Sequence, residues 1–156
     1  MKLAGGFLIV VSLVMTYKKY TRHQQKKMEQ IRSFVYLIRH IRQMIDCYAM
    51  PISDIFRSME NDISRCFSIN GDEVNSLTEL LDKCEIVCGE ECEACMRALA
   101  DSFGKSYRDS QIKFCDATTE KLEKIKNKIE NDYLPKKKAV AALCMCFGGL
   151  VLIILL

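Results

Sequence analysis

TRHQQKKMEQIRSFVYLIRHIRQMIDCY, residues 21–48, decides the fold class. Ile31, Phe34, Val35, Leu37, Ile38, Ile41, Met44, Ile45 and Tyr48 recur at helical spacing and share roughly one half of a cylinder. Glu29, Arg32, Tyr36, Arg39 and Gln43 fall on the other half. Such a stripe cannot be satisfied by its own helix and requires other elements to cover it. Arg42 breaks the pattern, lying between Ile31 and Val35 on the apolar flank. Its stem is expected to pack there while its head snorkels or pairs with Asp46 one turn on; the alternative is a contact for a partner.

The elements that follow are also helical. Pro51 suits the first turn of a new helix, and Ile52, Ile55, Phe56, Met59, Ile63 and Phe67 then share one face, predicting a second helix through residue 67. Asn70-Gly71 marks a turn, with Asp72 placed to cap a short third helix carrying Val74, Leu77, Leu80 and Leu81. Gly89 separates this from a fourth helix, about Glu90 to Phe103, with Cys92, Met96, Leu99 and Phe103 inward and Gly104 as its C-cap. A long fifth helix, about Tyr107 to Tyr133, buries Ile112, Cys115, Leu122, Ile125 and Ile129 and is expected to end before Pro135. Neither strand-like alternation nor an internal repeat occurs. The fold expected is all-α, an antiparallel bundle of five to six helices.

Both ends of the chain are apolar. Ala139–Leu156 (AVAALCMCFGGLVLIILL) has no charged side chain and follows Lys136, Lys137 and Lys138. As a helix rising roughly 1.5 Å per residue it is ~27 Å long, close to the ~30 Å hydrocarbon core of a bilayer. Residues 3–17 (LAGGFLIVVSLVMTY) form a shorter run followed by Lys18 and Lys19. Its charge lies mainly after the apolar stretch and no small-residue cleavage site follows, which favours a retained span over a signal peptide. Two transmembrane helices are therefore expected to bracket the bundle. The division is residues 1–20 as N-terminal anchor, 21–135 as cytosolic bundle and 136–156 as C-terminal span. Because both basic flanks lie on the inner side of the sequence, the positive-inside rule puts the bundle in the cytoplasm and both termini outward.

The formal charge of +3 is small and its cations cluster beside the apolar runs, which argues against nucleic acid as a partner. Nine cysteines, an odd number, fit reduced cytosolic thiols better than a paired secreted framework. Cys84, Cys88, Cys92 and Cys95 invite comparison with half a zinc or redox site. Zinc ligands usually come as pairs from separated segments, however, and Gly89 breaks the helix through this cluster. Packing is the favoured reading, since Cys47, Cys66, Cys115, Cys144 and Cys146 are used freely as small apolar residues. His23 and His40 lack a catalytic constellation, and no phosphate loop, HExxH or nucleophile elbow is present. No enzyme, cofactor or small-molecule substrate is indicated.

Taken in order, these features resemble the stage III sporulation protein AB family of endospore-forming bacteria. The likeness rests on the short N-terminal anchor and the long helix running into Ile45 and Pro51-Ile52. Phe103-Gly104 follows, then Arg108, Ser110 and Gln111, the Lys/Glu helix and the apolar tail. Where the family often has acidic residues before the isoleucine and a tyrosine two after it, this chain has Arg42, Met44 and Cys47, with Tyr48 displaced by one. The resemblance implies a six-helix bundle like the cytosolic domain of the type II secretion inner-membrane platform protein. It also implies docking of a secretion-type ATPase, stage III sporulation protein AA, with further membrane subunits, at the mother-cell membrane facing the forespore. Candidate partner contacts are Arg39, Arg42 and Gln111, and Lys18, Lys19 and Lys136–Lys138 would sit against anionic headgroups.

The competing reading is a membrane-tethered thiol or metal protein using Cys84, Cys88, Cys92 and Cys95. Elemental analysis of the purified protein separates the two: no stoichiometric metal is expected, and one zinc per chain would overturn the packing assignment.

Overall fold

The computed structural model describes residues 2–48, 50–67, 74–103, 105 and 107–155. Side chains are described outside 2–10, 13, 144, 147, 148 and 150–155. Among the described residues the chain is all-helical, with six helices: α1 (Lys2–Tyr48), α2 (Ile52–Ser58), α3 (Glu60–Phe67), α4 (Leu77–Lys83), α5 (Glu90–Ser102) and α6 (Arg108–Leu155). The chain divides into two compact units, one of residues 27–127 and the other of residues 1–26 with 128–156.

In the 27–127 unit, α1 supplies Ile31, Phe34, Leu37, Ile38, Ile41 and Ile45 to the core, none more than 4% exposed. Also buried in this unit are Ile55, Phe56, Met59 and Ile63, then Leu77, Leu80 and Leu81, then Met96 and Leu99, and Cys115 and Leu122 of α6. The Phe34 and Phe67 rings meet with centroids 4.9 Å apart. The stripe is narrower than its sequence pattern: Val35 and Met44 are half-buried, and Tyr48 is 67% exposed. On α6, Ile112 and Ile129 are likewise only half-buried.

The expected single helix over residues 52–67 is instead two. At the junction the Ser58 hydroxyl donates to the Ile55 carbonyl at 2.7 Å, beside the backbone bond that carbonyl also accepts. The Met59 N–H is then shared between the carbonyls of Ile55 and Phe56, and a new turn begins with Ile63 N–H on Met59 O. This split is the origin of the sixth helix. The next helix starts at Leu77, later than expected, with Ser76 as its N-cap: the hydroxyl accepts from Glu79 N–H at 3.2 Å. Asn70, Gly71, Asp72 and Gly104, expected as turn and cap residues, lie outside the described residues. Gly89 has φ 103°, a backbone conformation that a Cβ strains, and its carbonyl opens α5 by accepting from Glu93 N–H. Glu90, Glu91 and Glu93 complement the positive end of that helix.

Pro135 does not end the last helix, which runs through it. A proline in a helix interior removes the hydrogen bond to the carbonyl four residues back, here Asn131. Asn131 and Pro135 are both exposed, so water is at hand for that carbonyl.

In the unit of residues 1–26 and 128–156, Tyr20 and Tyr133 pair with ring centroids 6.4 Å apart, and Lys137 Nζ lies 5.8 Å from the Tyr133 centroid. Val14, Met15, Leu143 and Met145 are exposed in the same unit. Among the described residues no helix is long and apolar enough to cross a membrane. Much of both apolar runs falls on side chains outside the description, so the expected bracketing spans rest on sequence hydropathy alone.

The α4 cap carries a pH signature. Glu79 accepts from Asn75 N–H at 3.0 Å and pairs with Lys83 at 2.9 Å, which holds its carboxyl below the ordinary value of 4.5. A depressed carboxyl stabilises the fold above that value, and the contribution fades as pH falls through the lowered one. The expected outcome is that Glu79→Gln is less stable than the native chain at neutral pH. The two urea-unfolding curves should converge in acid, and a pH-independent gap would contradict it.

Candidate functional site

Two sets of polar side chains organise the 27–127 unit. The first is a ladder between α1 and α6. Arg39 Nη2 meets Glu123 Oε1 at 2.5 Å, and Arg42 Nε meets Asp116 Oδ1 at 2.7 Å. Arg108 Nε donates to the Ile45 carbonyl at 3.1 Å, and its Nη2 reaches the Asp46 carbonyl. As the α1 partner advances from 39 to 46, the α6 partner retreats from 123 to 108, so these segments run antiparallel.

Arg42 thus pairs chiefly across to α6. Its expected Asp46 contact is the longer one, at 3.5 Å. The Asp116 hydrogen bond raises the Arg42 guanidinium above its ordinary value, keeping it a permanent cation. Below it, burial holds the Cys115 thiol up at about 12. Gln111 is half-buried in the first turns of α6, with its N–H on the Tyr107 carbonyl.

The second set centres on Gln30, which sequence reading missed. Its Oε1 accepts from Val87 N–H at 2.7 Å and Cys88 N–H at 2.8 Å, and its Nε2 donates to the Glu85 carbonyl at 2.6 Å. One amide therefore satisfies three backbone groups of the α4–α5 connection and ties it to α1. The available signal was position: Gln30 stands four residues before Phe34 and seven before Leu37, a polar group on the apolar stripe.

The cysteine cluster lies in this region. Cys84, Cys88 and Cys92 are buried and Cys95 half-buried. The Cys92 S–H donates to the Cys88 sulfur, lowering Cys88 and raising Cys92 relative to ordinary thiols. Burial raises Cys84. Among the described residues no group of three or more His, Cys, Asp or Glu side chains is arranged to hold a metal ion.

Beside the ladder, Arg32, Val35, Tyr36, Arg39, Glu123 and Lys126 line an open groove of about 280 Å³. In the other unit Lys18, Lys19, Lys136, Lys137 and Lys138 are all exposed.

An all-helical bundle braced by arginine pairs, in a chain whose ends are apolar runs flanked by lysines, defines a class of helical bundle proteins. Within that class the chain belongs to the stage III sporulation protein AB family, whose description, "Stage III sporulation protein AB", matches residues 2–156. This membership gives it a role in sporulation. No curated protein and no solved structure matches the chain.

The Gln30 clasp yields a measurable expectation. Gln30→Ala strands two N–H groups and a carbonyl, at a cost of about 2 kcal/mol in urea unfolding. Amide exchange should accelerate at Val87 and Cys88 and not in α2; uniform acceleration would show that the clasp has no local role.

Proposed function

We propose that the protein is a non-catalytic, membrane-anchored platform that docks a cytosolic secretion-type ATPase, stage III sporulation protein AA, onto a complex between mother cell and forespore. The observation that carries this reading is the family match across residues 2–156. Family members resemble the cytosolic part of the type II secretion platform, whose task is to connect a motor to membrane subunits.

Other features agree with it. The two apolar runs are each bordered by lysines, as expected of spans that place residues 21–135 in the cytoplasm and both termini outside. Val14, Met15, Leu143 and Met145 are apolar side chains left exposed by their own unit, which lipid would cover. The lysine clusters supply headgroup attraction of about 1 kcal/mol per cation near an anionic surface. The bundle in this scheme supplies a binding surface, with no bond made or broken and no cofactor held.

Two measurements test the placement and the partner together. Cys47 and Cys66 are exposed, whereas Cys84, Cys88, Cys92 and Cys115 are buried. A membrane-impermeant maleimide should leave Cys47 and Cys66 unlabelled in intact sporulating cells and label them after permeabilisation. Labelling from outside refutes the cytoplasmic placement. The full-length chain, solubilised in mild detergent, should retain the ATPase on an affinity column, and its consistent absence refutes the docking role.

A further inference from the structure

The groove on the 27–127 unit is more specific than a solvated charged face. On α1, Arg32, Tyr36 and Arg39 stand at i, i+4 and i+7, on one side of the helix. Lys126 and Glu123 of α6 form the opposite wall, with half-buried Val35 among the lining residues. Three cations thus face one carboxylate. Among the described residues neither Arg32 nor Lys126 has an ion pair or hydrogen bond, whereas Arg42, Arg97 and Arg108 are all held by carboxylates of the same unit.

Charge alone in water carries little meaning, because a solvated cation costs nothing to leave unpaired. Here the charge surrounds a concavity and an aromatic ring. Tyr36 is 53% exposed, flanked along the helix by Arg32 and Arg39. Tyrosine and arginine are the residue types that dominate binding energy at protein interfaces, since they combine a large apolar area with polar ends. Arg39 already binds a carboxylate, that of Glu123 at 2.5 Å, so its guanidinium is pre-positioned for that chemistry.

We propose that this groove docks an acidic segment of a partner protein, whose carboxylates engage Arg32, Lys126 and Arg39 while an apolar side chain covers the Tyr36 ring. The inference deepens the platform reading by naming a docking face and the chemistry of what it receives. Spacing selects a polypeptide over a small anion: Arg32 and Arg39 lie about 10 Å apart along the helix axis, further than one phosphate can bridge. Two glutamates seven residues apart on a partner helix match that distance. Glu123 occupies part of the site, competing for Arg39 and restraining affinity until a partner displaces or joins it.

The test uses the full-length chain in detergent micelles and a fluorescein-labelled alanine-based helical peptide with glutamates seven residues apart. Fluorescence anisotropy should show saturable binding that weakens as salt rises, and the glutamine version of the peptide should bind at least tenfold less tightly. Arg32→Glu with Lys126→Glu should weaken binding by about tenfold or more, and Tyr36→Ala by about fivefold. Glu123→Gln should tighten it by about threefold, because removing a competitor raises the net positive charge of the groove. That gain separates docking from a merely structural role, in which loss of the Arg39 pair has no effect on the peptide or lowers its binding.

Equal affinity for the two peptides overturns the proposal, as does native affinity in the charge-reversed variant with an unchanged circular dichroism spectrum. Displacement of the peptide by millimolar inorganic phosphate, or phosphatidylglycerol vesicles binding in its place, also overturns it, in favour of a general anion site. Failure of the platform reading looks different. If the native chain captures the ATPase and the charge-reversed chain captures it equally, the groove proposal falls and the platform stands. If the peptide binds as described but the native chain never captures the ATPase, the groove stands and the platform reading falls.

Discussion

Burial of one face of α1 is the constraint on which the 27–127 unit depends. Ile31, Phe34, Leu37, Ile38, Ile41 and Ile45 lie almost wholly out of water, and burying each such side chain is worth about 1.5–3 kcal/mol. No short helix here is stable alone: α2, α3 and α4 have seven or eight residues each, well below the length at which isolated helices persist. They exist because Ile55, Phe56, Ile63, Leu77, Leu80 and Leu81 find an apolar wall to cover. The α1 stripe is that wall, and the remaining contacts refine how it is covered.

Polar contacts perform that refinement. Gln30 fixes the α4–α5 connection by completing the hydrogen bonds of three backbone groups, which otherwise have no ladder to join. The arginine pairs between α1 and α6 set which residues face one another, although exposed ion pairs of this kind add only about 0.2–1 kcal/mol each. Their value lies in geometry. By holding Arg39 and Arg42 toward α6, Glu123 and Asp116 place Tyr36 and Arg32 beside an open groove.

The cysteines take their character from the same packing. Cys84, Cys88 and Cys92 are buried, where a thiolate is poorly solvated, and burial raises Cys84 and Cys115. Cys88 departs from this because Cys92 donates its S–H to it, so the two thiols share one hydrogen bond inside the core.

By itself the sequence determined the helical class and the periodic core, because a 3.6-residue hydrophobic repeat admits one side of a helix and little else. The α5 start at Gly89, where φ is positive, and the burial of Ile31, Phe34, Leu37 and Ile38 were legible in the same way. Only the three-dimensional structure decided that residues 52–67 form two helices, since the break lies in how the Met59 N–H is shared between the Ile55 and Phe56 carbonyls, which an unbroken apolar periodicity does not record. It alone decided that Pro135 lies within α6, where an exposed turn tolerates a missing hydrogen bond. Spacing along one helix pointed Arg42 toward Asp46, but the closer partner is Asp116, 74 positions away. The same reason hid the Gln30 clasp and the groove: both are assembled from side chains on separate elements, and a one-dimensional pattern records which face a residue occupies without recording what that face meets.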